Sequence, residues 1–170
     1  DKVRGNKKLQ LIEEPSLSTS YIGFNTKKAP FDDIRVRKAL NYAINVDEII
    51  EVVLENAGTK ATGPINDKVF GYNNDLKGYE YDPDKAKDLL AEAGYADGFK
   101  TSIWTNDNPV RVRIAEIVQA QLKEVGVDAK IEEVEWGAYL ERTAAGEHDM
   151  FILGWVTVTG DADYGLYALF

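Results

Sequence analysis

The side chains of this sequence that could carry chemistry are concentrated in its second half. Asp161 and Asp163 stand two residues apart in the stretch TGDADYG, which also contains Tyr164. Two nearby carboxylates suit acid–base catalysis, a hard cation or contact with a polar ligand. A solvated turn explains the same pair, so these alternatives remain open on the residues alone.

Three tryptophans form the second group of candidates. Trp104, Trp136 and Trp155 each stand at the end of a predicted strand or the beginning of a predicted helix. In α/β folds, ligands bind where strands end. A single tryptophan is usually a core residue, but three at element ends favour a shared ligand-binding edge.

Signatures of the common enzyme classes are missing. The sequence contains no nucleophile elbow, phosphate-binding loop or dinucleotide fingerprint. It has one histidine and no cysteine, which excludes a histidine cluster and a thiolate metal site. His148 lies in the acidic stretch GEHD, which predicts an exposed turn. We therefore predict no catalytic residue, no metal site and no cofactor.

Two arginines lie in the first turn of the helix that Asn108-Pro109 begins. Arg111 and Arg113 are unfavourable there, because the positive end of the helix dipole repels them. Either a distant carboxylate compensates this charge, or the side chains are solvated. The sequence alone favours solvated side chains.

Composition narrows the possible partners. The chain has 170 residues, 44% of them hydrophobic and 29% charged, which is typical of one globular domain. The formal net charge is −9, and the basic residues are scattered among acidic ones, so nucleic acid is an unfavourable partner. We see neither an apolar run long enough to span a membrane nor a signal peptide.

The elements that must position these residues alternate between strands and helices. Capping residues and apolar periodicity predict helices at about 34–44, 46–56, 83–93, 109–125 and 136–145, and strands at 18–25, 99–104, 127–134 and 150–153. A short strand around Leu9, Leu11 and Ile12 is a further option. We predict a long loop over 59–80 and a polar tail after the last strand.

This order of elements predicts an α/β fold with a mixed, largely parallel sheet flanked by helices. The helix between the strands at 99–104 and 127–134 is long enough for a parallel crossover connection.

Three stretches also resemble a known family. YIGFNTKKAPFDDIRVRKALNYAI (residues 21–44), YDPDKAKDLLAEAGYADG (81–98) and the block from Arg113 to Trp155 are similar to the peptide/nickel-type solute-binding proteins of ABC importers. The resemblance implies one lobe of a two-lobed periplasmic-binding-protein-like fold. Residues 1–170 would be a single C-terminal lobe, truncated at both ends, with 1–17 as a linker or an edge strand from the other lobe.

The resemblance also implies a function. Such a protein binds peptides, or a peptide-like solute, without catalysis and delivers them to ABC permease subunits in the membrane. Its location would be extracytoplasmic, either periplasmic or lipid-anchored at the cell surface. The first lobe of the same polypeptide would be the other half of the cleft.

Carried over residue by residue, the resemblance implies that Trp136 and Trp155 line side-chain pockets. Val158 stands where an aspartate pairs with a peptide's amino group, and Thr105 stands where an arginine holds its carboxylate. Asp161 could take over the amine, or a longer peptide could be held through its backbone. The predicted ligand contacts are Trp104, Thr105, Trp136, Trp155, Asp161, Asp163 and Tyr164.

Two other functions remain as alternatives. In a hydrolase, Asp161 and Asp163 would act as acid and base. In a protein-interaction module, the chain would bind no small ligand.

Overall fold

The chain folds into helices packed on a four-stranded sheet. The computed structural model describes residues 3, 5–12, 14 and 16–169. Its elements in chain order are β1 (Ser18–Phe24), α1 (Ile34–Ala43), α2 (Val46–Val52), α3 (Pro83–Glu92), β2 (Phe99–Thr105), α4 (Pro109–Glu124), β3 (Val127–Glu133), α5 (Trp136–Ala144), β4 (Met150–Val156) and α6 (Ala162–Leu169).

Local sequence determines where most helices begin. The side chains of Asp33, Asn45, Asp82, Asn108 and Glu135 each accept a hydrogen bond from a backbone N–H of the first turn. Such caps satisfy donors that the helix itself leaves free. In α3 and α4, proline is the first residue, where its missing N–H costs nothing.

The sheet has the strand order β1-β4-β2-β3. Strand β2 runs parallel to both β3 and β4, whereas β1 runs antiparallel to β4. The predicted mixed, largely parallel sheet is therefore confirmed. The three parallel strands end at the same edge of the sheet, which we call the carboxyl edge. β1 begins there, since Ser18 pairs with Val156.

A hydrophobic core, which we call the main core, joins α1, α3 and α4 to the sheet. Val36, Ala39, Leu40 and Ala43 form the buried stripe of α1 at helical spacing. The main core consists of Phe31, Val36, Ala39, Leu40, Ala43, Ile49, Val53, Ala86, Leu90, Ile103, Ala115, Val118, Leu122, Val125, Val127, Ala129, Met150 and Ile152. These side chains make one contiguous apolar interior.

A smaller group, the satellite cluster, lies apart from the main core. It consists of Ile65, Val69 and Ala162, with Leu17 and Tyr72 packed against them. The N–H of Phe70 donates to the carbonyl of Gly160 at 2.9 Å, and the N–H of Ala162 donates to Phe70 at 3.0 Å. The long loop predicted at 59–80 is thereby attached to the segment that follows β4.

Four local predictions are wrong. Leu9, Leu11 and Ile12 form no strand and are exposed. Helix α2 ends at Val52, because Glu55 and Asn56 adopt positive φ angles of 51° and 63°. The polar tail contains α6. His148 is only 8% exposed, since Trp104 and Phe151 pack against its ring.

The prediction for residues 1–17 lies partly outside the described residues. The N–H of Thr157 donates to the carbonyl of Leu17 at 3.1 Å, so the chain before β1 meets the chain after β4 at the carboxyl edge. Among the described residues, no helix is long and apolar enough to cross a membrane.

Candidate functional site

The carboxyl edge brings together most of the chemically interesting side chains. Helix α4 begins there after β2, α5 begins there after β3, and α6 follows β4. Open α/β sheets bind ligands at this end of their parallel strands. A broad concavity beside β1 includes Tyr21, Asn108, Arg111 and Leu153 in its lining.

Trp136 is the first residue of α5 and lies on the surface of this edge. It is 43% exposed. Its ring stacks on Tyr139, with centroids 5.9 Å apart and an angle of 15° between the planes. Tyr139 is fixed in turn, because its hydroxyl donates to the carbonyl of Ile152 at 2.6 Å. The indole of Trp136 is therefore held on a rigid support with part of its surface open.

The guanidinium of Arg111 lies beside this aromatic pair. Its centre is 5.6 Å from the Trp136 ring centroid, a distance at which a cation interacts with the ring face. Its Nη1 donates to Oδ1 of Asn106 at 2.9 Å. The residue is of intermediate burial and forms no ion pair with a carboxylate of the described residues, so its guanidinium is partly solvated and partly held by Asn106 and Trp136.

The charge of Arg111 also acts on two tyrosines. Burial raises the pKa of Tyr21 and the pKa of Tyr139, and the nearby guanidinium opposes both shifts. Both phenols are neutral at physiological pH, so they compensate none of the arginine's charge. Tyr21 comes from β1 and Tyr139 from α5, which places Arg111 between elements far apart in the sequence.

A second aromatic pair lies where β4 leads into α6. The rings of Trp155 and Tyr164 are 5.3 Å apart. Nε1 of Trp155 is buried and has no hydrogen-bond acceptor among the described residues. A Cβ at Gly165 would approach this nitrogen to 3.0 Å, so glycine allows α6 to pack closely on the indole. Tyr164 remains exposed.

Asp161 directly precedes α6, and Asp163 lies in the first turn of that helix. Oδ1 of Asp161 accepts a hydrogen bond from the N–H of Asp163 at 2.9 Å, as a helix cap does. Both residues are exposed. The described residues contain no group of three or more acidic or histidine side chains suited to a metal ion. Ligand contact by these two carboxylates stays a prediction.

Trp104 and Thr105 end β2 but lie inside the protein. Trp104 is 4% exposed and packs between Arg142, 4.5 Å from its ring centroid, and His148, at 6.4 Å. Thr105 is fully buried and donates to the carbonyl of Asn106 at 3.2 Å. The structure therefore joins Trp155 with Tyr164 and Trp136 with Arg111, and it places Trp104 in a separate buried cluster.

Sequence reasoning missed Arg111 and Asn106 as members of this edge. The one available signal was the unfavourable position of an arginine in the first turn of a helix. The residues near Arg111 come from β1, β4 and α5 and from Asn106, which follows β2, and no local pattern shows such contacts.

Comparison with known proteins identifies the family of this chain. Residues 1–170 match the family described as bacterial extracellular solute-binding proteins, family 5 Middle. The chain belongs to this family. It is 42% identical to the dipeptide-binding protein of Escherichia coli (strain K12), over 99% of this chain and 32% of that protein. It is 43% identical to heme-binding protein A of Haemophilus influenzae, over 95% of this chain and 30% of that protein.

Two solved structures share the fold of this chain over part of their own length. The periplasmic binding protein DppA from Helicobacter pylori, in complex with the peptide STSA, is 46% identical and superposes with a TM-score of 0.87, over 91% of this chain and 30% of that chain. HbpA2 from Haemophilus parasuis is 39% identical and superposes with a TM-score of 0.91, over 99% of this chain and 34% of that chain.

These relatives are binding proteins rather than enzymes. The family 5 chain described here spans about a third of the length of the curated relatives that it matches.

Proposed function

We propose that this chain is one ligand-binding lobe of a longer family 5 solute-binding protein. The longer protein binds a peptide or peptide-like solute outside the cytoplasmic membrane and delivers it to the permease subunits of an ABC importer. The lobe itself catalyses nothing, and the first lobe of the same polypeptide supplies the other wall of the cleft.

The observation that carries this proposal is the composition of the carboxyl edge. The exposed groups of this edge include the aromatic rings of Trp136 and Tyr164 and the carboxylates of Asp161 and Asp163, and the cation of Arg111 lies beside Trp136. Binding sites for small ligands combine apolar and aromatic walls with a few charged groups in this way. Membership of a family whose relatives are named for dipeptide and di/tripeptide binding supports peptides as the ligand class.

The hydrolase alternative is less well supported. Asp161 accepts a helix N–H, and neither Asp161 nor Asp163 forms a side-chain contact with a second titratable group among the described residues. Both carboxylates are exposed and lie two residues apart at the beginning of α6. We propose ligand contact for them instead.

The proposed ligand is longer than a dipeptide. Val158, at the position where the family resemblance places an amine-binding aspartate, is 76% exposed and uncharged. Thr105, at the corresponding carboxylate position, is fully buried. Backbone hydrogen bonds along an extended peptide supply affinity without either anchor.

The test is isothermal titration calorimetry on the full-length protein with pools of di-, tri-, tetra- and pentapeptides. We expect binding of the longer pools, with a dissociation constant in or below the micromolar range. A sugar mixture and a nickel–histidine chelate serve as controls. Binding of a control ligand with no binding of any peptide pool would contradict the proposed function.

A further inference from the structure

The two outer strands of the sheet, β1 and β3, have free edges of different chemistry. In β3, whose sequence is VDAKIEE, four of the seven residues are charged, and Lys130 pairs with Glu132 at 3.2 Å. Gln119 of α4 also donates to the carbonyl of Ala129 at 2.6 Å. Charged side chains on an edge strand discourage pairing with another strand. The outer edge of β3 is therefore protected.

Strand β1 has none of this protection. Its sequence, STSYIGF, contains no charged residue and no proline. All seven residues pair with β4 in an unbroken register, so no bulge turns the strand away from a partner. An uncharged, regular edge strand is a template for a further strand unless something covers it.

The hydrogen bonds to β4 determine which main-chain groups of β1 point outward. The N–H of Asn25 donates to the carbonyl of Asp149 at 2.9 Å, and Asn25 directly follows β1. Because alternate residues of an antiparallel strand face the same neighbour, the even-numbered residues of β1 face the free edge. The N–H and C=O groups of Ser20, Ile22 and Phe24 have no hydrogen-bond partner in the part of the chain that the structure describes.

The surroundings of this free edge are apolar. Five partly buried side chains both pack against the main core and line the concavity beside β1, namely Ile22, Phe24, Ile44, Leu54 and Ile114. Burial of such apolar surface is favourable. A segment that pairs with β1 would therefore satisfy its outward main-chain groups and extend the main core at the same time.

The size of the concavity indicates what covers the edge. All seven residues of β1 line it, and its volume is about 2430 Å³. Pockets for small ligands measure roughly 300 to 1,000 Å³, so a solute alone would leave most of this space empty. The chain spans about a third of the length of its curated relatives, so a longer protein has further polypeptide available. A tethered segment also has a higher effective concentration than a separate partner.

We propose that a strand from the same polypeptide, outside residues 1–170, pairs with the free edge of β1 and extends the sheet to five strands. Its side chains on the side of the main core are apolar and cover Ile22 and Phe24. The part of the concavity near Arg111, at the carboxyl edge, stays open to ligand. This inference rests on the longer protein of the proposed function and is independent of the ligand.

The test is amide hydrogen exchange of the ligand-free, full-length protein, followed at single residues by nuclear magnetic resonance. The outer edge of β3 supplies the reference amides. Since the N–H of Val134 donates to the carbonyl of Thr105 in β2, the N–H groups of Ile131 and Glu133 point away from β2.

We expect the amides of Ser20, Ile22 and Phe24 to exchange at least about tenfold more slowly than that of Glu133, after correction for intrinsic rates. This protection should persist on tenfold dilution and without any peptide. Nuclear Overhauser contacts between these amides and backbone amides outside residues 1–170 identify the partner strand.

A matched pair of variants gives a second readout. Ser20→Pro removes one outward N–H of β1 and should lower the urea midpoint of the full-length protein. Glu133→Pro removes one outward N–H of β3 and should leave the midpoint close to that of the wild type, since an edge strand tolerates proline where its N–H faces solvent. If Ser20→Pro does not fold, the exchange of the wild type decides.

Fast exchange at Ser20, Ile22 and Phe24 would overturn the inference. Protection that appears only with a tetrapeptide pool would assign the edge to the ligand, and protection lost on dilution would assign it to a second copy. Protection without strand contacts, or equal urea midpoints of the two proline variants, would also contradict the inference. None of these results affects the proposed peptide function, which the calorimetric titration tests separately.

Discussion

The main core and the carboxyl edge differ in how far their apolar side chains are exposed to solvent. In the main core, Val36 and Leu40 are completely buried. At the carboxyl edge, Phe70, Val158 and Tyr167 are 79%, 76% and 88% exposed, beside a satellite cluster of only three buried residues. Exposed apolar groups gathered in one region mark surfaces that bind a ligand or another protein surface. The side chains of the main core are thus buried by the chain itself, whereas the carboxyl edge is suited to contact a ligand or another protein surface.

The largest expected effect comes from the same substitution made in both regions. Val36→Ala should lower the free energy of unfolding by about 2 to 3 kcal/mol, because the main core has no room to collapse around the cavity. Val69→Ala, in the satellite cluster, should cost about 1 kcal/mol or less, since the loop around it can adjust. Urea denaturation followed by circular dichroism measures both values. Equal losses would show that the satellite cluster is as tightly packed as the core.

A second pair of variants compares a buried with an exposed hydroxyl. The hydroxyl of Tyr139 donates to Ile152 inside the protein, so Tyr139→Phe leaves a buried carbonyl without that partner. We expect a loss of about 1 to 2 kcal/mol in the free energy of unfolding. Tyr164→Phe removes an exposed hydroxyl and should change it by less than about 0.5 kcal/mol. A larger effect at Tyr164 would mean that α6 depends on a contact of its hydroxyl.

The smallest expected effect is a dependence on pH. Burial and the charge of Lys28 lower the pKa of His148 below its usual 6.5, and Asp149 opposes this shift. The unfolded chain therefore binds the proton more readily, and stability falls as pH drops from about 7 through 6.5. Urea midpoints at pH 8, 7, 6 and 5.5 should show this fall for the wild type. The fall should be smaller for His148→Gln, and an identical fall in both proteins would assign it to other groups.

The structure of the main core could be predicted from the sequence more completely than the structure of the carboxyl edge. Asp82-Pro83 and Asn108-Pro109 predicted two helix starts correctly, because a cap and a proline act within one turn. The stripe of α1 predicted its buried face for the same local reason. In the main core, local pattern and tertiary packing agree.

At the carboxyl edge, the local sequence pattern and the tertiary packing do not agree. Helix α6 was missed, because Gly165 and the polar residues before it suggest a turn, while the helix is supported by packing on Trp155. The burial of His148 was missed because its sequence neighbours are acidic, although Trp104 and Phe151 enclose the ring from two strands. The surroundings of Arg111 consist of residues from β1, β4 and α5 and of Asn106, which follows β2. Contacts between distant segments leave no periodic signal in a single sequence.

The most direct test of the account is hydrogen–deuterium exchange of the full-length protein with and without a saturating tetrapeptide pool. We predict that peptide slows amide exchange at the carboxyl edge, over 105–113, 134–140 and 154–169, and leaves 34–43 and 83–92 of the main core unchanged. Protection confined to the main-core helices, or no change at the edge on peptide binding, would contradict the assignment of the carboxyl edge as the ligand-binding surface.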